Sequence, residues 1–252
     1  MRPMPIVKTK YLFLILLRIL KPALVLDVGS LDGADSLRFR RMLPKASLLA
    51  FEANPYLYQN LIHNRAIQEA GISVINKAVC ARDTDDIPFF VSPASVLDMG
   101  NKGTSSINRA ALGDEQVQIM AKTTRLDEHI DASCGGAALW IDVEGAAYEV
   151  LSTVQSRQSL VSLIHIETET KELWKNQRLK HDVVDLARSM GFEQIAQSSE
   201  GVQQDIVFVN RRALAERRLK IELAVLLSRI SGPLFARVFE FFARMDNAFH
   251  PS

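Results

Sequence analysis

The stretch Ala23-Leu24-Val25-Leu26-Asp27-Val28-Gly29-Ser30-Leu31-Asp32-Gly33 decides the fold of this chain. Ala23–Val28 is too short for an isolated helix and rich enough in branched apolar residues for a buried strand. Asp27 sits at its end, glycines follow at 29 and 33, and Ala34–Leu43 reads as a helix. A strand running into a glycine-bearing turn and then a helix is how α/β proteins hold nucleotide-like ligands. The small residues let the backbone approach the ligand, and the helix N-terminus offers free N–H groups. The dinucleotide fingerprint is G-x-G-x-x-G, whereas this stretch has D-x-G-x-x-x-G, with the acid first. That order suits a ligand with a positive centre and an amino-acid end rather than a pyrophosphate. An ordinary strand–turn–helix with a convenient glycine is the competing reading.

Outward from this stretch the chain alternates. Ser47–Glu52 reads as a second buried strand with an acid at its carboxyl end, and Asn54-Pro55 opens a helix to about Glu69. Gly71 stops that helix, and Ile72–Val79 reads as a third strand. This βαβαβ order predicts a right-handed, doubly wound, mostly parallel sheet. Glu52 then stands beside the first strand, where an acid can accept hydrogen bonds from both hydroxyls of a ribose. From Ala81 to Ile130 the alternation lapses: Ile87–Val91 and Val117–Thr124 read as strands of an antiparallel insertion beside the site, separated by a polar loop at 100–106. Thr104, Ser105 and Ser106 can hydrogen-bond a ligand or simply shape a turn, and Asp127 reads as the N-cap of the residues after it. Ala138–Val143 is a fourth buried strand leading into Asp142-Val143-Glu144-Gly145 and a helix to about Ser152. Ser162–Glu167 is a fifth strand, Leu179–Met190 a helix, and Phe192–Ala196 with Asp205–Asn210 an antiparallel hairpin. Ligands of open α/β sheets bind at the carboxyl ends of the strands. Asp27, Glu52, Asp142, Glu144, His165 and Glu167 all fall at such ends.

In 252 residues, 48% apolar and 23% charged, there is ample material for one large α/β domain with appendages. The net charge of +1 hides an asymmetry. Residues 1–22 carry Arg2, Lys8, Lys10, Arg18 and Lys21 and no acid, and residues 211–252 are also basic, so the middle is acidic. An acidic middle argues against nucleic acid as the main partner. Two cysteines, Cys80 and Cys134, make no disulfide framework, which points to a reducing, cytoplasmic compartment. The apolar run Tyr11–Leu20 is broken by Arg18, is too short to span a bilayer and precedes no cleavage site. Ile6–Leu20 is therefore expected to be a helix lying on the domain or on the cytoplasmic face of a membrane. In the tail, Leu219, Leu223, Leu226 and Ile230 mark one helical stripe, Gly232-Pro233 a break, and Phe235, Val238, Phe239, Phe242, Met245 and Phe249 a second stripe. These helices are expected to pack on the domain or on a second subunit in a homodimer, with peripheral membrane contact as the alternative. The division is an N-terminal helix over 1–22, a catalytic domain over 23–210 and a helical tail over 211–252.

The opening D-x-G turn resembles motif I of class I S-adenosylmethionine-dependent methyltransferases. Residues 24–210 resemble the FkbM family of S-adenosylmethionine-dependent O-methyltransferases. The matching segments are Leu26-Asp27-Val28-Gly29, Phe51-Glu52-Ala53-Asn54-Pro55, Ser105-Ser106, Thr124-Arg125-Leu126-Asp127 and Asp142-Val143-Glu144-Gly145. The resemblance implies an α/β, Rossmann-like class I methyltransferase fold with a seven-stranded sheet and an antiparallel edge hairpin. It also implies methylation of a hydroxyl on a sugar, glycolipid or secondary metabolite, with S-adenosyl-L-methionine as cofactor. By the resemblance, Asp27, Gly29 and Gly33 line the methionine end of the cofactor, with Ser30 among the cofactor contacts. Glu52 holds the ribose, and Ala78 and Val79 flank the adenine. Three positions depart from the family pattern: Leu31 where Asn is usual, Ala53 where Pro is usual, and Ala147 where a second Glu follows the D-x-E-G. On the acceptor side, Asp142 is expected to act as base or metal ligand, Glu144 to orient the acceptor, and His165 to be the reserve base. His165 and Glu167 can instead form a buried pair joining two strands. Mg²⁺ suits such oxygen ligands, but no spacing requires it and no metal ligand is assigned. A nicotinamide-dependent oxidoreductase and a catalytically silent cofactor-binding protein are the competing functions.

Overall fold

A computed structural model describes residues 4–81, 86–93, 105–109 and 115–229. Thr104 and the stripe from Phe235 to Phe249 lie outside the described residues. The short apolar runs become strands: β1 (Leu24–Val28), β2 (Ser47–Phe51), β3 (Ser73–Ile75), β4 (Ala78–Val79), β5 (Ile87–Val91), β6 (Val117–Ala121), β7 (Thr123–Thr124), β8 (Ala137–Ile141), β9 (Val161–Glu169), β10 (Phe192–Gln197) and β11 (Gln203–Asn210). Seven of them form one sheet in the order β10-β11-β9-β8-β1-β2-β3. β1 lies between β2 and β8, parallel to both, and β10 and β11 close the far edge as an antiparallel pair. The two central parallel strands, β1 and β8, are buried along their whole length, as their largely apolar sequences require.

Each face has its own core. Leu26, Val28, Leu139, Ile141, Ile164 and Ile166 point to one side, with Val183 and Ala187 of the helix Lys180–Ser189. Val25, Ala138, Trp140, Leu163, Val207 and Val209 point to the other. That second face is covered by α1 (Thr9–Leu20) and α2 (Ala34–Met42). In α1, Leu12, Phe13, Leu16 and Leu17 are fully buried, so its apolar face is used up within the protein. No helix among the described residues is long and apolar enough to cross a membrane.

Several expectations are corrected. The expected third strand is two strands: β3 pairs with β2, whereas β4 pairs in parallel with β7 in a separate two-stranded sheet. Asn76 causes the break, since its Nδ2 donates to the carbonyls of Glu52 (2.8 Å) and Ala53 (3.2 Å) and turns the chain across the end of β2. The helix after Pro55 is also divided, into α3 (Pro55–His63) and α4 (Arg65–Glu69). Asn64 between them is extended, and its side chain caps the second helix by accepting from Ala66 N–H. Asp127 is not an N-cap. It lies inside a 3₁₀ turn, Leu126–His129, where its carboxylate accepts from Arg125 and Ser156. In the tail helix Arg211–Leu227 it is Ile221 and Ala224 that pack on the domain, while Leu219, Leu223 and Leu226 stand exposed. Among the described residues these three leucines do not dock on the domain, and Ile230 of the same stripe lies outside the described residues.

Candidate active site

The loops at the carboxyl ends of β1, β2 and β8 enclose a cleft of about 280 Å³. Gly29 makes its floor. Its φ is +86°, and a Cβ there would lie 2.0 Å from the carbonyl oxygen of Asp142, so only glycine lets the β1 turn pass under the β8 loop. The N–H groups of Gly29 and Ser30 both donate to Phe51 O, fastening the turn to β2. The Ser30 hydroxyl lies 3.3 Å from the carbonyls of Asp27 and Phe51, so it ties the two strands together at the cleft wall. Leu31 adopts a left-handed φ of 52°, which Asn tolerates better than Leu. The departure at Leu31 thus keeps the backbone shape that asparagine serves.

Gly33 does not reach the cleft. It is the left-handed residue ahead of α2, and its missing side chain makes room for Ile67 and Leu61. The other expected cofactor contacts, Asp27, Gly29, Ser30, Glu52, Ala78 and Val79, all line the cleft, as do Asp142 and Glu144. Sequence reading missed Trp140, Lys77, Leu57 and Phe89 on its walls. The alternation of β8 places Trp140 on the same face as Asp142 and could have flagged it; nothing in the sequence flags the other three.

Asp27 and Glu52 are almost fully buried. Asp27 Oδ2 accepts from Ser36 (2.5 Å), while its Oδ1 has no hydrogen-bond partner among the described residues. Both Glu52 oxygens are fixed by backbone: Oε1 accepts from Asn54 N–H (2.9 Å) and Oε2 from Leu31 N–H (3.0 Å). Burial pushes both carboxyls up to about 7, against the hydrogen bonds that pull them down. Asp142 opens to the solvent of the cleft. Even so, the surrounding protein and then the charges of Asp205 and Asp35 raise it to about 6, partly offset by Lys10. Burial first, then neighbouring carboxylates, raise Glu144 to about 7 and Glu167 to about 8.

These raised carboxyls give stability an unusual pH dependence. A carboxyl with a folded pKa near 7 binds more protons folded than unfolded at any pH between about 4 and 7. Its contribution is complete below pH 4 and is lost as pH rises through 7. For Asp27 and Glu52 together this is on the order of 2 kcal/mol after allowing for water in the cleft. A buried histidine lowered to about 3, His165, works the other way and loses stability as pH falls below about 6.5. The expectation is therefore set on the variant: between pH 5 and pH 8 the melting midpoint of unliganded Asp27→Asn should gain about 2–3 °C relative to wild type. Calorimetric scans at the two pH values check this; a constant difference between the two proteins would contradict it.

The structure does not bring His165 to the cleft. β9 carries it beside Trp140, where the two rings stack with centroids 3.7 Å apart and Phe13 of α1 meets the imidazole edge-on. It is 2% exposed, neither ring nitrogen has a hydrogen-bond partner among the described residues, and burial lowers its pKa to about 3. It is a neutral core residue one layer below the site, unsuited to serve as reserve base. Nor does it pair with Glu167, which reaches the solvent edge of β9 and accepts from Gln203 at 3.4 Å. Helix α1 instead brings two groups to this end of the sheet. Thr9 donates to Asp205 (3.2 Å), and Lys10 pairs with Asp35 (2.7 Å) beneath the Trp140 ring. Ala147, the departure from the family pattern, is buried in the core and is not part of the cleft wall.

Comparison with known proteins places the chain in a family. The Methyltransferase FkbM domain matches residues 27–193. A relative, 2-O-methyltransferase NoeI of Sinorhizobium fredii (strain NBRC 101917 / NGR234), is 27% identical over 201 residues, covering 75% of this chain and 79% of that protein. Among solved structures, the N-terminal domain of EvdMO1, crystallised in the presence of SAH and D-fucose, matches with a TM-score of 0.44 at 13% identity, over 81% of this chain and 83% of that one. Magnesium protoporphyrin IX methyltransferase (ChlM) from Synechocystis PCC 6803 with bound SAM matches with a TM-score of 0.41 at 12% identity, over 81% and 77%. The chain belongs to the FkbM methyltransferase family and is an S-adenosylmethionine-dependent methyltransferase.

Proposed function

We propose that the protein transfers the methyl group of S-adenosylmethionine to a hydroxyl of a sugar, glycolipid or related metabolite. The observation that carries this reading is the Asp142 carboxylate, which opens into the cleft directly above the Gly29 turn. The relative at 27% identity bears the name of an O-methyltransferase. The cleft suits the cofactor chemically. Asp27 offers an unpartnered, buried oxygen to the ammonium of an amino-acid end, and Gly29 leaves room for a close backbone approach. Glu52 keeps free lone pairs for two ribose hydroxyls while backbone N–H groups hold it still. Ala78 and Val79 give an apolar wall for a purine, with Ile107 and Phe89 nearby.

Bound S-adenosylmethionine supplies an electrophilic methyl group on a sulfonium. The rest falls to the protein, which must hold an acceptor oxygen in line and take its proton. Asp142 is the base in this reading, and Glu144, on the same loop, orients the acceptor. S-adenosylhomocysteine is expected to bind and NADH not to. Glu52→Ala should weaken S-adenosylhomocysteine binding by about 1–3 kcal/mol, for the ribose hydroxyls left unpaired. Calorimetry measures both; heat with NADH and none with S-adenosylhomocysteine would overturn the cofactor assignment. Methyl-labelled S-adenosylmethionine offered with sugars and glycolipids, and with amines and thiols as controls, tests the acceptor. Label reaching only nitrogen or sulfur would sink the hydroxyl reading.

A further inference from the structure

Glu144, on the loop leaving β8, meets Glu167 and Glu169 at the carboxyl end of β9, and each offers an oxygen within 4.8 Å of the other two. Three carboxylates this close repel one another strongly where water is scarce. None of the ion pairs among the described residues involves any of them. A separate observation comes from Glu169, which is 1% exposed. Its Oε2 accepts from Gln177 Nε2 (3.0 Å), whereas its Oε1 is buried with no hydrogen-bond partner among the described residues. Gln177 is itself clamped, because its Oε1 accepts from the N–H groups of Leu173 (2.5 Å) and Trp174 (2.7 Å). Glu169 is thus held from behind in one orientation, the way an outer residue fixes a metal ligand, with a bare oxygen left over. Burial raises the Glu169 carboxyl above its ordinary range, against nearby backbone N–H groups including that of Gly145, and a bound cation would offset the cost of ionising it.

We propose that Glu144, Glu167 and Glu169 form a binding site for one divalent hard cation, Mg²⁺ or Mn²⁺, on the acceptor side of the cleft. An all-carboxylate set of oxygen ligands selects hard cations over Zn²⁺ or copper. The site deepens the hydroxyl-transfer reading and rests on it for its purpose. The cation would draw an acceptor hydroxyl beside Asp142 and make its proton easier to remove. The O–H bond then breaks with its proton passing to Asp142. The new O–C bond forms as the S–C bond breaks, and that electron pair stays on sulfur as the thioether.

The test is Mn²⁺ titration of the metal-stripped full chain by electron paramagnetic resonance, with no cofactor or acceptor present. One Mn²⁺ per chain is expected, half-saturating below about 1 mM. Glu169→Gln and Glu167→Gln should each weaken uptake about tenfold or more, while S-adenosylhomocysteine binding stays within about threefold of wild type. Glu167 is partly exposed, so its variant should fold even if the Glu169 variant does not. Terbium luminescence excited through Trp174, which packs on Gly145 next to Glu144, gives a second readout. No uptake at about 5 mM Mn²⁺, or uptake unchanged in both variants, overturns the site. Because uptake is read without acceptor, failure of the hydroxyl reading would leave this result standing, and the reverse also holds.

Discussion

Asp142→Asn is expected to lower kcat for methyl transfer by about 10²–10⁴-fold, the usual worth of a positioned general base. Its affinity for S-adenosylhomocysteine should stay within about threefold of wild type, because the substitution keeps the side chain's shape and the proposed function gives Asp142 to the acceptor rather than to the cofactor. A hydroxyl is a poor nucleophile, so on that proposal the loss of its proton acceptor should appear in the chemical step rather than in binding. Asp142 is suited to the task. Its carboxyl is raised to about 6 by the surrounding protein and by Asp205 and Asp35, which places it closer to neutral pH than an ordinary aspartate. The pH profile of kcat in the wild type should accordingly rise through an apparent value near 6. Single-turnover rates with labelled cofactor check the variant; a wild-type rate in Asp142→Asn would remove this residue from the chemistry.

Gly29→Ala is expected to be the most damaging small substitution in the protein. Alanine in this left-handed conformation costs about 1 kcal/mol relative to glycine. Its Cβ would also lie 2.0 Å from Asp142 O and 3.0 Å from Asp142 C, which are backbone atoms of a paired strand end and cannot rotate away. Relief requires the β1 turn to separate from the β8 loop, at a further cost of about 1–3 kcal/mol. The hydrogen bond from Asp142 N–H to Val28 O (3.0 Å) stands directly in that path. The variant should therefore lose about 2–4 kcal/mol in denaturant unfolding and bind S-adenosylhomocysteine at least tenfold more weakly. By contrast, Gly71→Ala has open space at its Cβ and only the backbone cost, so it makes an apt control. Equal losses at the two positions would argue against the close crossing.

The sheet was legible because its central strands are short buried apolar runs, with Gly29 after β1, Glu52 after β2 and Asp142 after β8. The same signal placed Asp27, Glu52 and Asp142 in one cleft, since parallel strands bring their carboxyl ends together without any sequence proximity. Depth along a strand was not legible. Period-two alternation puts His165 and Glu167 on one face of β9, yet one residue pair farther in is the difference between a solvent-edge carboxylate and an imidazole stacked on Trp140. Side-chain hydrogen bonds that interrupt an element were also hidden. Asn64 and Asn76 each cut an otherwise continuous apolar pattern by bonding backbone groups that the periodicity does not see. The arrival of Lys10 and Thr9 at the site depends on how α1 crosses the sheet, and a hydropathy pattern carries no crossing angle.

The seat of α1 also fixes an order of events during synthesis. This helix is made before most of its cover: α2 follows it closely and meets Phe13 through Phe39, but β9, β11 and the helix Arg211–Leu227 come much later, and its bond to Asp205 spans 196 residues. At about 5–20 residues per second, Leu12, Phe13, Leu16 and Leu17 wait about 10–40 s before these later partners emerge. During that interval the nascent chain carries a partly uncovered greasy helix, a natural client for a holding chaperone. Any chain ending ahead of β11 lacks part of that cover.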